Sequence, residues 1–384
     1  VSNTNFDYII IGSGLAGLQL ALAFAEDHYF ANYKIALIDF DKKNKNDRTW
    51  SFWEKHPSKF EAIVSKTWGK TQFISSEKKL EIPLQDYQYK TIKAVDFYNY
   101  CKNRISEQDN IQIIEDFIEE VRESDTLVEV MGKNGLYHAK HVFDSRIPKA
   151  FFQKHNYILL IQHFKGWMIE SKQPVFDDSN FTMMDYRYKY KNTTSFIYVL
   201  PFSANKALIE FTFFSPHTVE NSIYENHLKS YISKELQLSE YDILEEEYGE
   251  IPMSAFPFQD YHTSKITKIG TAGGWVKASS GYAFKNSQKK VKTLIENIKK
   301  GNMTTRNLYM KKYQFYDDIF LDVLYHNNDL GEQLFTKFYS NPIQNGFQFL
   351  DEASSLAQDI KIIRSLYHPQ FLVSFFRVLK RKFF

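Results

Sequence analysis

Two groups of residues in this chain have the types and spacing to do chemistry. The first is Gly12-Ser13-Gly14-Leu15-Ala16-Gly17, three glycines at the spacing that lets a backbone close on a dinucleotide. Gly12 permits a tight turn out of a strand, Gly14 lets the backbone approach a pyrophosphate, and Gly17 lets a helix pack against a sheet. Asp39 lies twenty-two residues beyond Gly17, near the spacing that sets an acid on a ribose hydroxyl. The second group is two acids inside otherwise apolar segments, Asp185 in Thr182-Met183-Met184-Asp185-Tyr186-Arg187 and Glu210 in Leu208-Ile209-Glu210-Phe211-Thr212-Phe213-Phe214. A carboxyl stripped of water keeps its proton to higher pH and becomes a general acid near neutrality. Strand alternation gives the other reading of Glu210, a wet face shared with Leu208 and Thr212, and the residue pattern leaves both open.

Elements of matching character surround the glycines. Asp7 to Ile11 reads as a strand buried on both faces, Leu15 to Glu26 as an Ala- and Leu-rich helix, and Lys34 to Ile38 as a second strand ending at Asp39. The helix points its first N–H groups at the phosphates. A fingerprint opening at residue 12 favours FAD over NAD. In the following loop, Asp47-Arg48-Thr49-Trp50-Ser51-Phe52-Trp53-Glu54 offers Arg48 to flavin phosphate or ring oxygens and Trp50 and Trp53 to an apolar tunnel; the alternative is core aromatics under a loop. A second glycine-rich junction follows a short strand at Lys265 to Gly270, and there Thr271, Gly273 and Gly274 are positioned to hold the cofactor from its opposite side. Asp144 and Arg146, ending another strand, are lesser cofactor candidates or a plain ion pair.

With 384 residues the chain has length for two domains. The expected division is an FAD-binding domain from 1–60, 92–150 and 260–300, a sheet domain for substrate from 61–91 and 151–259, and a helical region from 301–384 that contacts a membrane. Val219 to Leu238 reads as a helix, and Glu245 to Glu250 as a solvated strand or loop. The last helix gathers Leu372, Phe375, Phe376, Leu379 and Phe383 beside Arg377, Lys380, Arg381 and Lys382, suiting an anionic membrane interface or a docked terminal helix with a basic tip. Net charge near +2 gives no field for nucleic acid, and the single cysteine, Cys101, excludes an internal disulfide and suits a reducing compartment. No stretch is long and apolar enough to span a bilayer, no signal peptide is expected because Val1-Ser2-Asn3-Thr4-Asn5 runs into the first strand, and no metal site is expected from His138 and His141, the only close histidine pair.

Taken in order, the fingerprint, Asp47 to Trp53, Leu200-Pro201-Phe202-Ser203, Leu208-Ile209-Glu210-Phe211-Thr212, and Gly273-Gly274 through Gly281-Tyr282-Ala283-Phe284 resemble the lycopene β-cyclases of carotenoid biosynthesis. The resemblance implies an α/β fold, Rossmann-like and of the glutathione-reductase/hydroxylase type, with an antiparallel-sheet substrate domain and a C-terminal helical region. It implies reduced FAD, NAD(P)H as reductant, and a peripheral enzyme on the cytoplasmic side of the inner membrane. Its reaction would close the linear ψ-ends of lycopene to β-ionone rings without net redox change, through γ-carotene to β-carotene. Glu210 would hold or relay the proton, Asp185 would assist electrostatically, and Trp50, Trp53, Trp275, Tyr282 and Phe284 would line the tunnel. Many members carry a second acid where this chain has Phe211, and often Pro and Ser where it has Ala278 and Ala283. An FAD-dependent monooxygenase or isoprenoid reductase acting on an apolar substrate is the alternative, separable because it would consume NAD(P)H in step with product.

Overall fold

The computed structural model describes residues 3–153 and 157–383; Val1, Ser2 and the side chain of Phe383 lie outside the described residues. The chain opens with β1 (Asn3–Ile11), α1 (Leu15–Glu26) and β2 (Ile35–Asp39), a parallel βαβ unit with Ile9 opposite Ala36. Five short strands follow: β3 (Thr49–Glu54), β4 (Lys66–Trp68), β5 (Lys70–Ile74), β6 (Lys79–Pro83) and β7 (Gln88–Lys93). Of these, β3, β7 and β4 form a small sheet of their own, straddling residues expected to fall in two different domains. Then α2 (Ala94–Ser106) leads to β8 (Ile111–Glu115), β9 (Ile118–Glu123), β10 (Val128–Gly132) and β11 (Leu136–Asp144). The first sheet runs β8-β2-β1-β11-β10-β9. Its central strands are parallel, and Ile9, Ile10, Ala36 and Leu37 have no exposed surface, which is why they read as unbroken apolar runs.

The second sheet is built from β12 (Leu159–Glu170), β13 (Asn180–Asp185), β14 (Thr194–Pro201), β15 (Lys206–Ser215) and β16 (Asp242–Ser254), with α3 (Asn221–Lys234) between the last two strands. Seven strands lie in the order β16-β12-β15-β14-β13-β5-β6, antiparallel except where β13 meets β5. The period of two sorts β15 onto two faces. Ile209, Phe211 and Phe213 pack under Tyr224, Leu228 and Ile232 of α3, while Leu208 and Phe214 join a cluster beneath the C-terminal helices. Each such side chain, fully buried, contributes about 1.5–3 kcal/mol.

β17 (Ile266–Lys268) then pairs in parallel with β11, completing seven strands in the first sheet. α4 (Phe284–Lys299) packs on the first sheet beside α1 and α2. The C-terminal part is helical: α5 (Lys311–His326), α6 (Gly331–Tyr339), α7 (Ile343–Leu350), α8 (Leu356–Ser365) and α9 (Pro369–Phe383). Among these, α7 stops at Leu350 and α8 starts at Leu356. Ser355 accepts from the Gln358 N–H while the Gln358 side chain accepts from the Ser355 N–H, a capping box that starts α8 afresh. Among the described residues no helix is long and apolar enough to cross a membrane.

Three of the four basic residues of α9 turn inward, and Lys380 stays exposed. Arg377 donates to Asp322 at 2.9 Å, Arg381 reaches the same carboxylate at 3.4 Å, and Lys382 pairs with Asp318, all on α5. Of the two readings of this basic tip, an anionic interface or a docked terminal helix, these pairs match the docked helix, with Lys380 left in solvent. Leu372 and Phe376 remain exposed, at 53% and 66%.

Candidate active site

A cavity of about 970 Å³ lies among the N-terminus of α1, the inner face of the second sheet and the C-terminal helices. Gly14, Leu15, Ala16 and Gly17 form one part of its wall. Gly14 caps α1 with no side-chain hydrogen bond, so the first-turn N–H groups have no cap, and a Cβ built on Gly14 would meet nothing within 4 Å. That open space beside uncapped donors is what a phosphate group requires. Gly17 and Gly12 serve the turn itself. A Cβ on Gly17 would lie 1.8 Å from the Gly12 carbonyl oxygen, and one on Gly12, at φ +99°, would lie 2.0 Å from Ser145 Oγ. Gly12 is not part of the cavity wall. Neither is Asp39, whose carboxylate accepts from the Ser13 N–H at 2.6 Å and the Ser13 hydroxyl at 2.9 Å, bracing the glycine turn.

Arg48 and Trp50 lie in the wall, Arg48 beside Asp47 at 3.3 Å and Trp50 edge-on to Phe97 and Tyr98. Trp53 does not. Its ring stacks on Phe347 at 4.4 Å, its Nε1–H donates to Asp351 at 3.0 Å, and Tyr282 stands edge-on to it, so Trp53 supports the wall from behind. In the second glycine-rich segment Thr271, Trp275, Tyr282 and Phe284 line the cavity, whereas Gly273 and Gly274 do not. A Cβ on Gly273 would strike the Lys268 carbonyl oxygen at 2.4 Å, and Gly274 ends a 3-10 turn in the left-handed region at φ +63°. Their place in the wall is taken by Gly270, Ser279, Ser280 and Gly281. Gly270, at φ +61°, brings this segment against Ala16, and Gly281, at φ +74°, leaves room for the Gln162 amide. Ser280 Oγ and Gln162 Oε1 are buried, belong to wall residues and have no hydrogen-bond partner among the described residues, two polar atoms available to a polar ring system. Lys277 ties the segment to the C-terminal helices through Asp317 at 2.9 Å and Glu352 at 3.2 Å. Asp144 is buried between Arg146 and Lys268, an internal ion pair away from the wall.

The two acids fall on opposite sides of the sheet. Asp185 is fully buried but off the cavity: it caps the turn Tyr186–Tyr188 and holds Arg187 by a fork of bonds at 3.0 Å and 2.6 Å. An irregularity in the pairing of β13 between Thr182 and Asp185 leaves Met183 and Met184 in the wall and turns Asp185 away. Glu210 faces the cavity at 9% exposure, together with Leu208, Thr212 and Phe214. The face it shares with Leu208 and Thr212, which alternation alone allowed to be wet, is the cavity wall. Burial first, then contact with the Glu247 carboxyl, holds its pKa well above the usual carboxylate range. Opposite Glu210 on β14 is Tyr198, whose hydroxyl lies 2.8 Å from that of Tyr89, itself 3.3 Å from that of Tyr282. Opposite it on β12 is Gly166, and beyond Gly166, on β16, is Glu247. Phe211 faces α3 and stacks on His227 at 4.4 Å, so an acid at that position would point away from this site.

Sequence reasoning missed Glu247, Gly166, Gln162 and Ser280. The acidic tract hid Glu247, since five neighbouring carboxylates read as a solvated edge; the signal was a glycine inside the run Phe164-Lys165-Gly166-Trp167. Among the described residues no group of three or more metal-ligating side chains exists.

A parallel sheet carrying a glycine-rich turn into α1, a second glycine-rich segment packed on that turn, and an antiparallel sheet over the same cavity define an FAD-type flavoprotein fold of the glutathione-reductase/hydroxylase kind. Solved structures of this architecture include a geranylgeranyl bacteriochlorophyll reductase-like protein from Thermoplasma acidophilum (12% identity, TM-score 0.61, 97% of this chain and 99% of that one). The flavin-dependent brominase Bmp2 is similar (12%, 0.62, 99% and 99%), as is a flavoprotein/dehydrogenase from Cytophaga hutchinsonii (13%, 0.63, 98% and 99%). No curated protein matches the chain. The chain belongs to the lycopene cyclase protein family, which it matches over residues 7–379.

Proposed function

We propose that this protein is a lycopene β-cyclase that converts lycopene to γ-carotene and then β-carotene by acid-initiated, redox-neutral ring closure. The observation that carries the reading is Glu210, a carboxyl whose protonated form is favoured by burial in the wall of a largely apolar and aromatic cavity next to a dinucleotide-type helix N-terminus. Such a cavity takes a polyene end, and burial of this kind suits an acid that must donate a proton to it. Glu210 transfers its proton to the terminal double bond of the substrate. The electrons of the neighbouring double bond then close the ring onto the tertiary cation, and loss of a ring proton restores neutrality. Phe164, Phe196, Tyr198 and Tyr282 in the wall offer π faces to the cation and exclude water.

The residues present fit FAD. The α1 N-terminus at Gly14 to Gly17 would hold the pyrophosphate with Arg48 nearby, and Thr271, Ser280 and Gln162 would meet the polar edge of the ring. Reduced with NAD(P)H, the cofactor supplies an electron-rich, negatively charged ring that stabilises positive charge. The parallel sheet with its helices serves as the cofactor domain and the antiparallel sheet as the substrate domain.

Exposed Ile363, Tyr367 and Leu372 belong at once to the cavity wall and to an apolar surface continued by Leu356, Ile360, Val373 and Phe376. Exposed apolar residues that also line an apolar cavity suit peripheral contact with the cytoplasmic face of the inner membrane, from which a carotene enters without crossing water.

Expression in lycopene-accumulating bacteria tests the reading. β-Carotene should replace lycopene, and Glu210→Gln should lower conversion by about 1000-fold or more while flavin content stays unchanged. Persistent lycopene with stoichiometric NADPH oxidation would replace this reading with a monooxygenase or reductase.

A further inference from the structure

Glu210 and Glu247 sit on strands that are not neighbours. They are separated by β12, whose residue between them is Gly166. A Cβ on Gly166 would lie 2.9 Å from Glu210 Cγ and 3.2 Å from Glu247 Cγ, so the two side chains meet over this position because it has none. Glu247 is further fixed by the Thr49 hydroxyl, which donates to its Oε2 at 3.1 Å. The other charged groups of the cavity wall have partners: Asp47 with Arg48, Asp317 with Lys277, and Glu250 with the Tyr248 hydroxyl. Along β16, Glu245 is held by Lys93 and Asn46. Among the described residues neither member of the Glu210–Glu247 pair has a cation within ion-pair distance, and Tyr198 is the nearest titratable group across β14.

We infer that Glu210 and Glu247 form one proton-holding unit, with Glu247 a second catalytic carboxyl. This rests on the cyclisation reading. Two carboxyls in contact without a cation cannot both be ionised cheaply, so the pair, meeting over Gly166, holds a single proton between them. The Glu210 O–H bond breaks as a C–H bond forms at the terminal alkene carbon, and the pair goes from one negative charge to two beside the cation. After the ring C–C bond forms, a ring C–H bond breaks, its electrons become the ring double bond, and the proton returns to the pair. No external acid or base is consumed, and substrate and product are isomers.

The test uses the full-length protein and two readouts. The carbonyl stretch of a protonated carboxyl, followed by infrared spectroscopy against pH, should vanish in Glu210→Gln. In Glu247→Gln it should persist with a midpoint lowered by about one pH unit or more, because the like charge is gone. Cyclisation of lycopene in vesicles by the reduced holoenzyme should fall about 100-fold or more in Glu247→Gln and be partly rescued in Glu247→Asp. Gly166→Ala, with both acids intact, should also lower the midpoint by forcing the carboxyls apart. An unmoved midpoint in Glu247→Gln overturns the pair. A moved midpoint with undiminished cyclisation overturns the catalytic role. A moved midpoint in a chain whose wild type cyclises nothing upholds the proton pair and overturns the cyclisation reading.

Discussion

Asp351 and Glu210 are both carboxyls whose protonated form burial favours, yet they answer to different partners. Asp351 accepts from Trp53 Nε1 behind the wall, and burial pushes its pKa up to about 6, against the pull of that bond and of Lys285 and Lys289. Between its unfolded value of 3.8 and about 6 the folded chain holds a proton that the unfolded chain has lost. Stability therefore falls as pH rises through that window and stays lowered above it. Asp351→Asn keeps an acceptor for Trp53 and removes this cost. Relative to wild type it should gain about 2–3 kcal/mol between roughly pH 4 and pH 7.5. Urea unfolding at both pH values checks it, and a difference that does not change with pH would refute it. The same contrast shows what a sequence conveys about single acids. Glu210's apolar neighbours left burial and a wet face equally open until the cavity decided between them, whereas Asp185 shows the same neighbours and is a turn cap. Glu247 was hidden because its meaning depends on Gly166, about eighty residues away in sequence and adjacent only through sheet register.

The glycine turn and α1 were readable as elements, because each glycine there answers a local steric demand. The later glycine segment was less so: it was placed correctly, but Gly273 and Gly274 serve its internal turn while Gly270, Ser280 and Gly281 meet the cavity. Identity of residue does not reveal which side of an irregular loop a backbone presents. The first turn allows a sharp separation of folding from binding. Gly17→Ala puts a Cβ 1.8 Å from a carbonyl oxygen, which should cost about 1–3 kcal/mol and release flavin. Gly14→Ala meets nothing within 4 Å, so apoprotein stability should change by no more than about 1 kcal/mol. Its methyl group would nevertheless occupy the space offered to the pyrophosphate, and FAD affinity should fall about tenfold or more. Thermal unfolding of the apoprotein together with flavin titration checks both, and unchanged FAD affinity in Gly14→Ala would remove the cofactor from α1.

The whole molecule joins a glycine-rich cradle to an apolar cavity walled in part by exposed apolar residues, and the manner of the proposed membrane contact follows from how its charges are spent. Arg377, Arg381 and Lys382 are committed to Asp322 and Asp318, while Leu372, Val373 and Phe376 of α9, Ile363 of α8 and Tyr367 between the two helices are exposed. Attachment should therefore come from apolar burial rather than from attraction to anionic lipid. Burying each half-exposed Leu or Phe contributes about 1 kcal/mol, so the double variant Leu372→Asp, Phe376→Asp should weaken binding to vesicles by at least about 30-fold. Salt raised from about 0.05 M to 0.5 M should weaken wild-type binding to anionic vesicles by less than about tenfold, because Arg377, Arg381 and Lys382 are already paired and only the scattered, exposed Lys361, Arg364 and Lys380 remain to meet lipid. Co-sedimentation with neutral and with anionic vesicles measures both. Strong salt dependence confined to anionic vesicles would mean that the α9 cations leave α5 on the membrane, and the terminal helix would then undock to bind.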